Sequence, residues 1–385
     1  MFREESGRLA ATLVSTLGTF ELAEEILQDA LVVALERWPV DGIPRDPAAW
    51  LLIVARRRAI DLLRRDIRYR DKLAELDRPS AHEIDDRLRL IFTCCHPALS
   101  REAQVVLTLR TVCGFSVAEI ANAFLASEAT IAQRLVRARR KIAQAGIPYR
   151  VPVNDELDER LSEVLAVLYL VFNEGYLTSA GDRPERRDLT VDAEWLAGLL
   201  ARLMPDEPEV LGFLALIRLH RARAEARFDA RGRLVLLRDQ DRSRWDRSAI
   251  GKAGELLLEA GRLRRPGSYQ IQAAIVACHA EANSWEATDW PQILALYNEL
   301  LWLAPSPVAS LNRAIAVRYV EGPSTALAAV DALAPTLGRY HLFHATRAEL
   351  LRDLGRPGEA RLADEQALAL TANPAERALL EHRLG

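Results

Sequence analysis

Apolar residues recur every three or four positions along almost the whole chain, which is the spacing of one face of an α-helix. Leu9, Leu13 and Leu17 show this spacing near the start. No segment alternates apolar and polar residues over the length of a strand, although Gly232 suggests a short hairpin within residues 227–237. The pattern therefore predicts an all-α protein.

Polar stretches that contain proline or glycine divide this helical pattern into regions. The longest of them, DKLAELDRPSAHEID at residues 71–85, predicts a linker between two helical domains. A chain of 385 residues is long enough for two or three domains, each with its own core. The predicted regions are 1–70, the linker 71–85, 86–148, 155–265 and 268–385.

The second predicted helix, residues 21–38, carries two different stripes. Its inward stripe is apolar and consists of Leu27, Leu31, Ala34, Leu35 and Trp38. Glu21, Glu25 and Asp29 follow one another at four-residue intervals, so they form a separate acidic stripe. We expect this acidic stripe to be exposed.

A loop rich in helix breakers, residues 39–45, precedes a basic helix. Asp46 and Pro47 form an N-cap and a first-turn proline, so this helix begins there and runs to about Arg70. From Arg45 to Arg70 there are eight Arg and three Asp, a net charge of +5. With Trp50 in the first turn, the pattern suits single-stranded nucleic acid. It equally fits an amphipathic helix with Trp50 in the core and a solvated arginine face, and both interpretations stay open.

The segment Ser116-Val-Ala-Glu119 is a capping box that opens a short helix. A turn at residues 125–126 follows, and Ser127 caps a second helix, which together give a helix-turn-helix. The second helix has short polar residues first and cations later, the order suited to base edges and phosphates. Residues 127–150 carry six basic residues and one Glu, again +5. The pattern favours DNA binding over a surface hairpin with a solvated basic face.

The sequence gives little support to other kinds of chemistry. Cys94, Cys95 and Cys113 are interpreted as buried apolar residues, because adjacent helical side chains project to different sides and chelate zinc poorly. No phosphate-binding loop, zinc-protease spacing or nucleophile motif occurs, so we expect neither an enzyme nor a cofactor nor a metal. The start is charged, and the longest uncharged apolar stretch, Val164–Phe172, is half a membrane span. These features predict a cytoplasmic protein without membrane contact.

The order of the motifs resembles a known family. The runs EEILQDALVVALERW at 24–38 and PAAWLLIVARRRAID at 47–61, followed by the helix-turn-helix at 116–142, are similar to bacterial extracytoplasmic-function sigma factors of the sigma-70 family. The similarity covers residues 1–148. It implies two sigma-type helical domains that bind core RNA polymerase and promoter DNA and direct transcription initiation.

The resemblance also implies roles for three sets of residues. Those that bind polymerase are Glu24, Glu25, Gln28 and Asp29. Those that open and hold the −10 promoter element are the loop 39–46 together with Trp50, Arg56, Arg57, Arg58, Asp61, Arg64 and Arg65. Those that read the −35 element are Thr130, Gln133, Arg134, Arg137 and Arg140.

The region after residue 155 is similar to a subgroup in which a sigma factor is fused to tetratricopeptide-like repeats. Residues 350–376 have the Leu-x-x-Leu-Gly, Glu-Ala and Asn-Pro spacing of one repeat. Such repeats stack into a concave surface that binds peptides or another domain. The resemblance therefore implies an extension that regulates the sigma part through an intramolecular or protein partner. The alternative is a conventional helix-turn-helix regulator with a helical repeat domain as sensor, which would dimerise on a palindromic site.

Overall fold

The computed structural model describes residues 2–17, 20–65, 83–124, 126–152, 155–176, 187–229 and 232–385. These ranges form nineteen α-helices and contain no β-sheet. One isolated antiparallel bridge joins Phe228 and Leu234, and Gly232 between them has a φ of +75°. The all-α prediction is confirmed, and the predicted hairpin is reduced to that bridge. The chain folds into two compact units, residues 1–171 and 172–385.

Unit one begins with three helices, which are α1 (Phe2–Leu17), α2 (Phe20–Asp41) and α3 (Pro47–Arg65). Leu13 and Ile26 are buried where these helices meet. Because α2 runs three residues further than predicted, the loop is shorter and begins at Gly42, whose φ of +82° favours glycine. The Asp46 carboxylate accepts a hydrogen bond from the Ala49 N–H (2.9 Å), which caps α3 as predicted. The end of the predicted basic helix and most of the predicted linker, residues 66–82, lie outside the described residues.

Four shorter helices follow, which are α4 (Glu83–Cys94), α5 (Arg101–Thr111), α6 (Val117–Ala123) and α7 (Glu128–Gln144). The predicted capping box is present: Ser116 Oγ accepts from the Glu119 N–H (3.1 Å), and the Glu119 carboxylate accepts from the Ser116 N–H (2.8 Å). Ile120 of α6 and Ile131 of α7 are completely buried, so the two helices pack as a helix-turn-helix. Residue 125, in the predicted turn, lies outside the described residues.

The helix α8 (Asp155–Tyr176) contains the boundary between the units. Its first half packs in unit one, where Arg160 Nη2 donates to the Phe92 carbonyl oxygen (2.7 Å) and the Glu163 carboxylate pairs with Arg101 (2.8 Å). The predicted domains 1–70 and 86–148 both lie within this compact unit, which also includes the start of the predicted region 155–265. The half-buried Arg160 satisfies a carbonyl in the last turn of α4, which attaches this part of α8 to unit one.

Unit two is built from successive helices that pack on their neighbours. They are α9 (Arg187–Leu203), α10 (Pro208–Arg221), α11 (Arg247–Arg262), α12 (Ser268–Glu281), α13 (Trp290–Leu303), α14 (Pro307–Val320), α15 (Pro323–Asp331), α16 (Ala334–Leu337), α17 (His341–Asp353), α18 (Pro357–Leu370) and α19 (Pro374–Leu384). The central one, α10, is buried over most of its length and contacts α12 closely at Gly212. A Cβ at that position would lie 2.7 Å from the backbone of Gln270, so the packing requires glycine.

Candidate nucleic-acid interface

The outer face of α7 is polar at its start and basic further along. Ser127 caps the helix by accepting a hydrogen bond from the Thr130 N–H (3.1 Å), while Ile131 and Leu135 bury the inner face. On the outer face, Arg137 donates to the Gln133 side chain (3.2 Å). The structure brings the predicted −35 residues together on this one helix, with Arg134 partly buried and the others exposed. They are Thr130, Gln133, Arg134, Arg137 and Arg140.

Arg139, the one arginine of α7 outside the predicted −35 set, is engaged within unit one. Its guanidinium pairs with the carboxylate of Glu24 in α2, and Arg110 of α5 donates to the same carboxylate through Nε (2.8 Å). The Glu24 side chain is only 22% exposed. Glu24 therefore differs from the exposed acidic surface predicted for α2, because two arginines from α5 and α7 enclose its charge.

The other residues predicted to bind polymerase remain accessible on α2. Glu25 and Gln28 are exposed, and Asp29 is half exposed with its carboxylate 3.8 Å from Nε of Arg58. This exposed pair joins the acidic stripe to the basic helix α3. Ion pairs in such solvated positions contribute little to stability, so these side chains are available for other contacts.

The sequence did not predict that exposed apolar residues continue the acidic stripe of α2. Leu35 was predicted to face the core, yet 70% of its surface is exposed, and Val32 is exposed one turn earlier. Both lie on the same helical face as Glu25 and Gln28. Ala34 occupies the core position instead. The signal was an apolar run too wide for one face of α2, and an exposed acidic and apolar stripe is typical of a protein-binding surface.

The structure describes only part of the predicted −10 surface. Trp50 is half buried, and its ring lies 5.6 Å from that of Trp38, centroid to centroid, where α2 and α3 meet. Arg57 and Arg58 are exposed on α3. The backbone of α3 is described to residue 65. The side chains of the other predicted −10 residues lie outside the described part of the chain, and these residues are Arg56, Asp61, Arg64 and Arg65.

Three cysteines at the C-terminal ends of α4 and α5 belong to the core of unit one. Cys94, Cys95 and Cys113 are buried, and burial raises the pKa of the Cys95 thiol to about 12. Such thiols are protonated and unreactive at neutral pH. Over the described ranges of the chain, no group of three or more His, Cys, Asp or Glu is placed to hold a metal ion. None of the described helices is both long and apolar enough to span a membrane.

Comparison with known protein families agrees with this arrangement of helices. The model of sigma-70 region 2 matches residues 1–69, and that of sigma-70 region 4 matches residues 89–142. The model of a family of unknown function, DUF6596, matches residues 160–261. An uncharacterized protein of Rhizobium meliloti (strain 1021) is 48% identical over 378 residues, which cover 94% of this chain and 89% of the relative.

The two matched helical domains and the helix-turn-helix define a promoter-recognising transcription initiation factor. The chain belongs to the sigma-70 family of RNA polymerase sigma factors, and it shares a family with the R. meliloti protein. Its partners are therefore core RNA polymerase and promoter DNA. Members of this family initiate transcription without a catalytic activity of their own.

Proposed function

We propose that this chain is a cytoplasmic sigma factor of the extracytoplasmic-function type, in which α2 binds polymerase, α3 holds the −10 element and α7 reads the −35 element. The outer face of α7 carries the proposal. There, exposed Thr130 and Gln133 near a capped helix start precede exposed Arg137 and Arg140. Short polar groups near the start of such a helix reach base edges, and later cations contact phosphates.

The polymerase contact is proposed for the stripe on α2 that combines acidic and apolar groups. Glu25, Gln28 and Asp29 are accessible, and Val32 and Leu35 continue the same face. A partner surface that is basic at one end and apolar at the other would bury Leu35 and neutralise the carboxylates of Glu25 and Asp29. Apolar burial supplies the affinity in such an interface, and charge supplies orientation.

The −10 contact is proposed for the start of α3. Arg57 and Arg58 are exposed, and Trp50 is half buried against Trp38, so one tryptophan edge and two cations face the same region of surface. Aromatic faces and guanidinium groups are the usual contacts of unpaired bases and their phosphates.

The C-terminal helices are proposed to be tetratricopeptide-like repeats that regulate the sigma part. The helices α14 and α17 begin at Pro307 and His341, and α15 and α18 begin at Pro323 and Pro357, so both pairs of starts are 34 residues apart. That spacing is the period of tetratricopeptide repeats, which bind protein segments. Stopping the chain after α8 should therefore change promoter-specific transcription by several fold. Equal activity of the two forms, in cells and with purified polymerase, would contradict a regulatory role.

A charge reversal on α2 tests the polymerase surface. Glu25→Arg combined with Asp29→Arg should leave the fold intact, because exposed substitutions usually change stability by less than about 0.5 kcal/mol. Affinity for core polymerase should fall by about tenfold or more, since the stripe would repel its basic partner. A matched control is Asp158→Arg with Glu159→Arg, which reverses two exposed charges on α8. Equal affinity of both double variants in a titration would refute the assignment.

A further inference from the structure

Segments far apart in the sequence meet at one buried cluster in unit two. Tyr176 ends α8, and its hydroxyl accepts a hydrogen bond from Arg223 Nη2 (3.1 Å) just after α10. The same Nη2 lies 3.1 Å from Nδ1 of His220, whose ring is 5.0 Å from that of Tyr176. Trp245, the last residue of the run DQDRSRW, also lies beside the Arg223 guanidinium.

Three guanidinium groups surround the indole of Trp245. Their Cζ atoms lie 4.6 Å (Arg242), 6.0 Å (Arg223) and 6.0 Å (Arg247) from its ring centroid. Trp245 is 3% exposed and Arg223 is 7% exposed, whereas Arg247 is open to solvent. The cluster therefore has a deep positive end and an accessible positive edge.

In the described part of the chain, no carboxylate forms an ion pair with these three guanidinium groups. Among the described residues, no carboxylate oxygen lies within 4 Å of the guanidinium nitrogens of Arg223, Arg242 or Arg247. The two nearby aspartates act as helix caps: Asp241 accepts from the Ser243 N–H and Asp246 from the Ala249 N–H, both at 2.9 Å. Glu286 acts on Arg242 only through space, from an exposed position.

Helix-end carbonyls satisfy part of the cluster. Arg242 Nη1 donates to the carbonyl oxygens of His279 (2.6 Å) and Ala282 (2.7 Å), and Arg247 Nη1 donates to that of Ala280 (3.1 Å). These carbonyls end α12, where the helix dipole places partial negative charge. The carbonyls use one nitrogen of each arginine and do not neutralise the charges.

Several buried donors are left over. Nε of Arg223, Nη2 of Arg242 and Nε1 of Trp245 are buried without a hydrogen-bond partner, as is Nδ1 of His279. Burial and the neighbouring Arg223 and Arg242 lower the pKa of His279 to about 4, so its ring is neutral and adds no charge. An unpartnered donor on a buried cation is among the most costly features a folded protein can retain, and it calls for an acceptor.

We propose that this cluster is a binding site for a small solute that presents a compact oxyanion, a phosphate or carboxylate group, to Arg223, Arg242 and Trp245. Guanidinium groups match such oxyanions in both charge and geometry, and the indole N–H adds a neutral donor. The exposed Arg247 marks the side from which the anion enters. Water could accept the same hydrogen bonds but would leave the charge uncompensated.

Thermal unfolding of the full chain tests the site with three probes, which are inorganic phosphate, succinate and sodium chloride at matched ionic strength. A specific oxyanion should raise the unfolding temperature in a saturable way, by about 3–6 °C at ten times its dissociation constant. A rise with phosphate alone identifies a phosphate ligand, and a rise with succinate alone identifies a carboxylate ligand. No rise beyond chloride with either probe would overturn the proposal.

Variants of the full chain locate the binding. Arg242→Gln should weaken the oxyanion affinity measured by calorimetry by about tenfold or more, since it removes a charged donor. Trp245→Phe keeps the ring and removes only the N–H, so it should fold normally and bind several-fold more weakly. Arg361→Gln, which changes an exposed arginine paired with Glu365 on α18, is the control and should bind as the wild type does. Wild-type affinity in both cluster variants would place the anion elsewhere and overturn the proposal.

A second observation, independent of the first, concerns the carboxylate of Glu24. It is held by Arg110 of α5 and Arg139 of α7, and a cavity of about 110 Å³ beside it is lined by residues of α1, α2, α5 and α7. The Tyr149 hydroxyl lies 3.0 Å from the carbonyl oxygen of Ala11 and 2.9 Å from that of Asp86, which adds a polar contact between α1 and α4. The region-2 and region-4 helices are thus tied together.

We infer that this tie is an autoinhibitory contact, an inference that rests on the proposed role of α2 in binding polymerase. Glu24 lies in the predicted polymerase surface and Arg139 in the DNA-reading helix. The ion pair therefore occupies one residue of the predicted polymerase surface and fixes the DNA-reading helix through an arginine outside the predicted −35 set. Polymerase can use Glu24 only after the two arginines release it, and this release weakens binding by the free energy of the contact.

Arg110→Gln tests the contact from outside both functional surfaces. Core polymerase affinity should rise by about fivefold or more, and the distance between spin labels at Glu36→Cys and Ala143→Cys should lengthen. Arg101→Gln, on the same helix and paired with Glu163, is the control. Arg139→Gln should reproduce the effect on polymerase binding in the absence of DNA. Absence of polymerase binding by the wild type would refute the proposed function, whereas normal binding with no change in the Arg110 variant would refute the autoinhibition alone.

Discussion

Arginine is used in opposite ways in the two units of the molecule. On α7 of unit one, Arg137 and Arg140 are exposed on a helix whose inner face is apolar. In unit two, Arg223 and Arg227 are 7% and 4% exposed and lie against aromatic rings. An exposed guanidinium keeps its hydration and can bind a polyanion, whereas a buried one needs its hydrogen bonds supplied by the fold or by a bound ligand. Burial, rather than the density of positive charge, separates the two uses.

This comparison predicts that similar substitutions will have different consequences in the two units. At the exposed arginines of α7 they should change DNA binding and leave stability almost unaffected. In unit two they should change stability first, because the arginines join helix ends to aromatic side chains.

The largest expected effect is on the stability of unit two. Arg227→Ala removes a guanidinium whose Cζ lies 3.5 Å from the ring centroid of Tyr176 and whose Nη1 donates to the Tyr176 carbonyl oxygen (2.7 Å). The Tyr176 carbonyl would lose a charged donor and the ring would lose its stacked cation, so unfolding free energy should fall by about 2–4 kcal/mol. Arg137→Ala should change it by less than about 0.5 kcal/mol. Chemical denaturation followed by circular dichroism measures both, and equal losses would remove the distinction between the units.

The next effect separates two arginines within α7. Arg134→Ala should weaken the free energy of promoter binding by about 1–3 kcal/mol and relax the base preference at one −35 position. The reason is that Arg134 is close enough to the helix start to reach base edges. Arg140→Ala should weaken binding to all promoters about equally. It should also lower the slope of log affinity against log salt concentration by about one unit, as expected for a phosphate contact. Transcription of a promoter library with each variant at two salt concentrations measures this. A change of preferred bases with Arg140→Ala, together with a uniform loss of binding with Arg134→Ala, would contradict this placement of α7 in the DNA groove.

The sequence predicted those features that depend on local periodicity and capping. The starts of α3, α6 and α7 follow from Asp46, Ser116 and Ser127, because each cap satisfies the free N–H groups of its own helix. The exposure of the −35 residues follows from the same helical spacing.

Features that depend on contacts between distant segments could not be predicted in this way. Glu24 is partnered by arginines 86 and 115 positions away, and nothing in its own helix distinguishes it from Glu25. Leu35 fits an apolar stripe equally well inside or outside the core until the neighbours of α2 are placed. The cluster around Trp245 needs three helix ends to meet, and its arginines are indistinguishable in sequence from solvated ones.

The smallest expected effect is a pH dependence of the stability of unit two. The pKa of His279 is lowered to about 4 by burial and by Arg223 and Arg242, and that of His220 is lowered well below its ordinary value by burial and by Arg223 and Arg227. Between pH 6.5 and 4 the unfolded chain therefore binds more protons than the folded one, so stability falls as the pH falls. For His279 the loss from pH 7 to pH 5.5 should be about 1.2 kcal/mol.

His279→Gln should remove that share of the loss, which urea denaturation at pH 7 and pH 5.5 measures directly. The matched control is His382→Gln, which replaces an exposed histidine of α19 and should keep the wild-type difference between the two pH values. The helix α7 contains no histidine, so its affinity for DNA of any sequence should not show this pH dependence. If His279→Gln retained the full loss, His279 would not be held neutral, and the charge of the Trp245 cluster would be compensated in some other way.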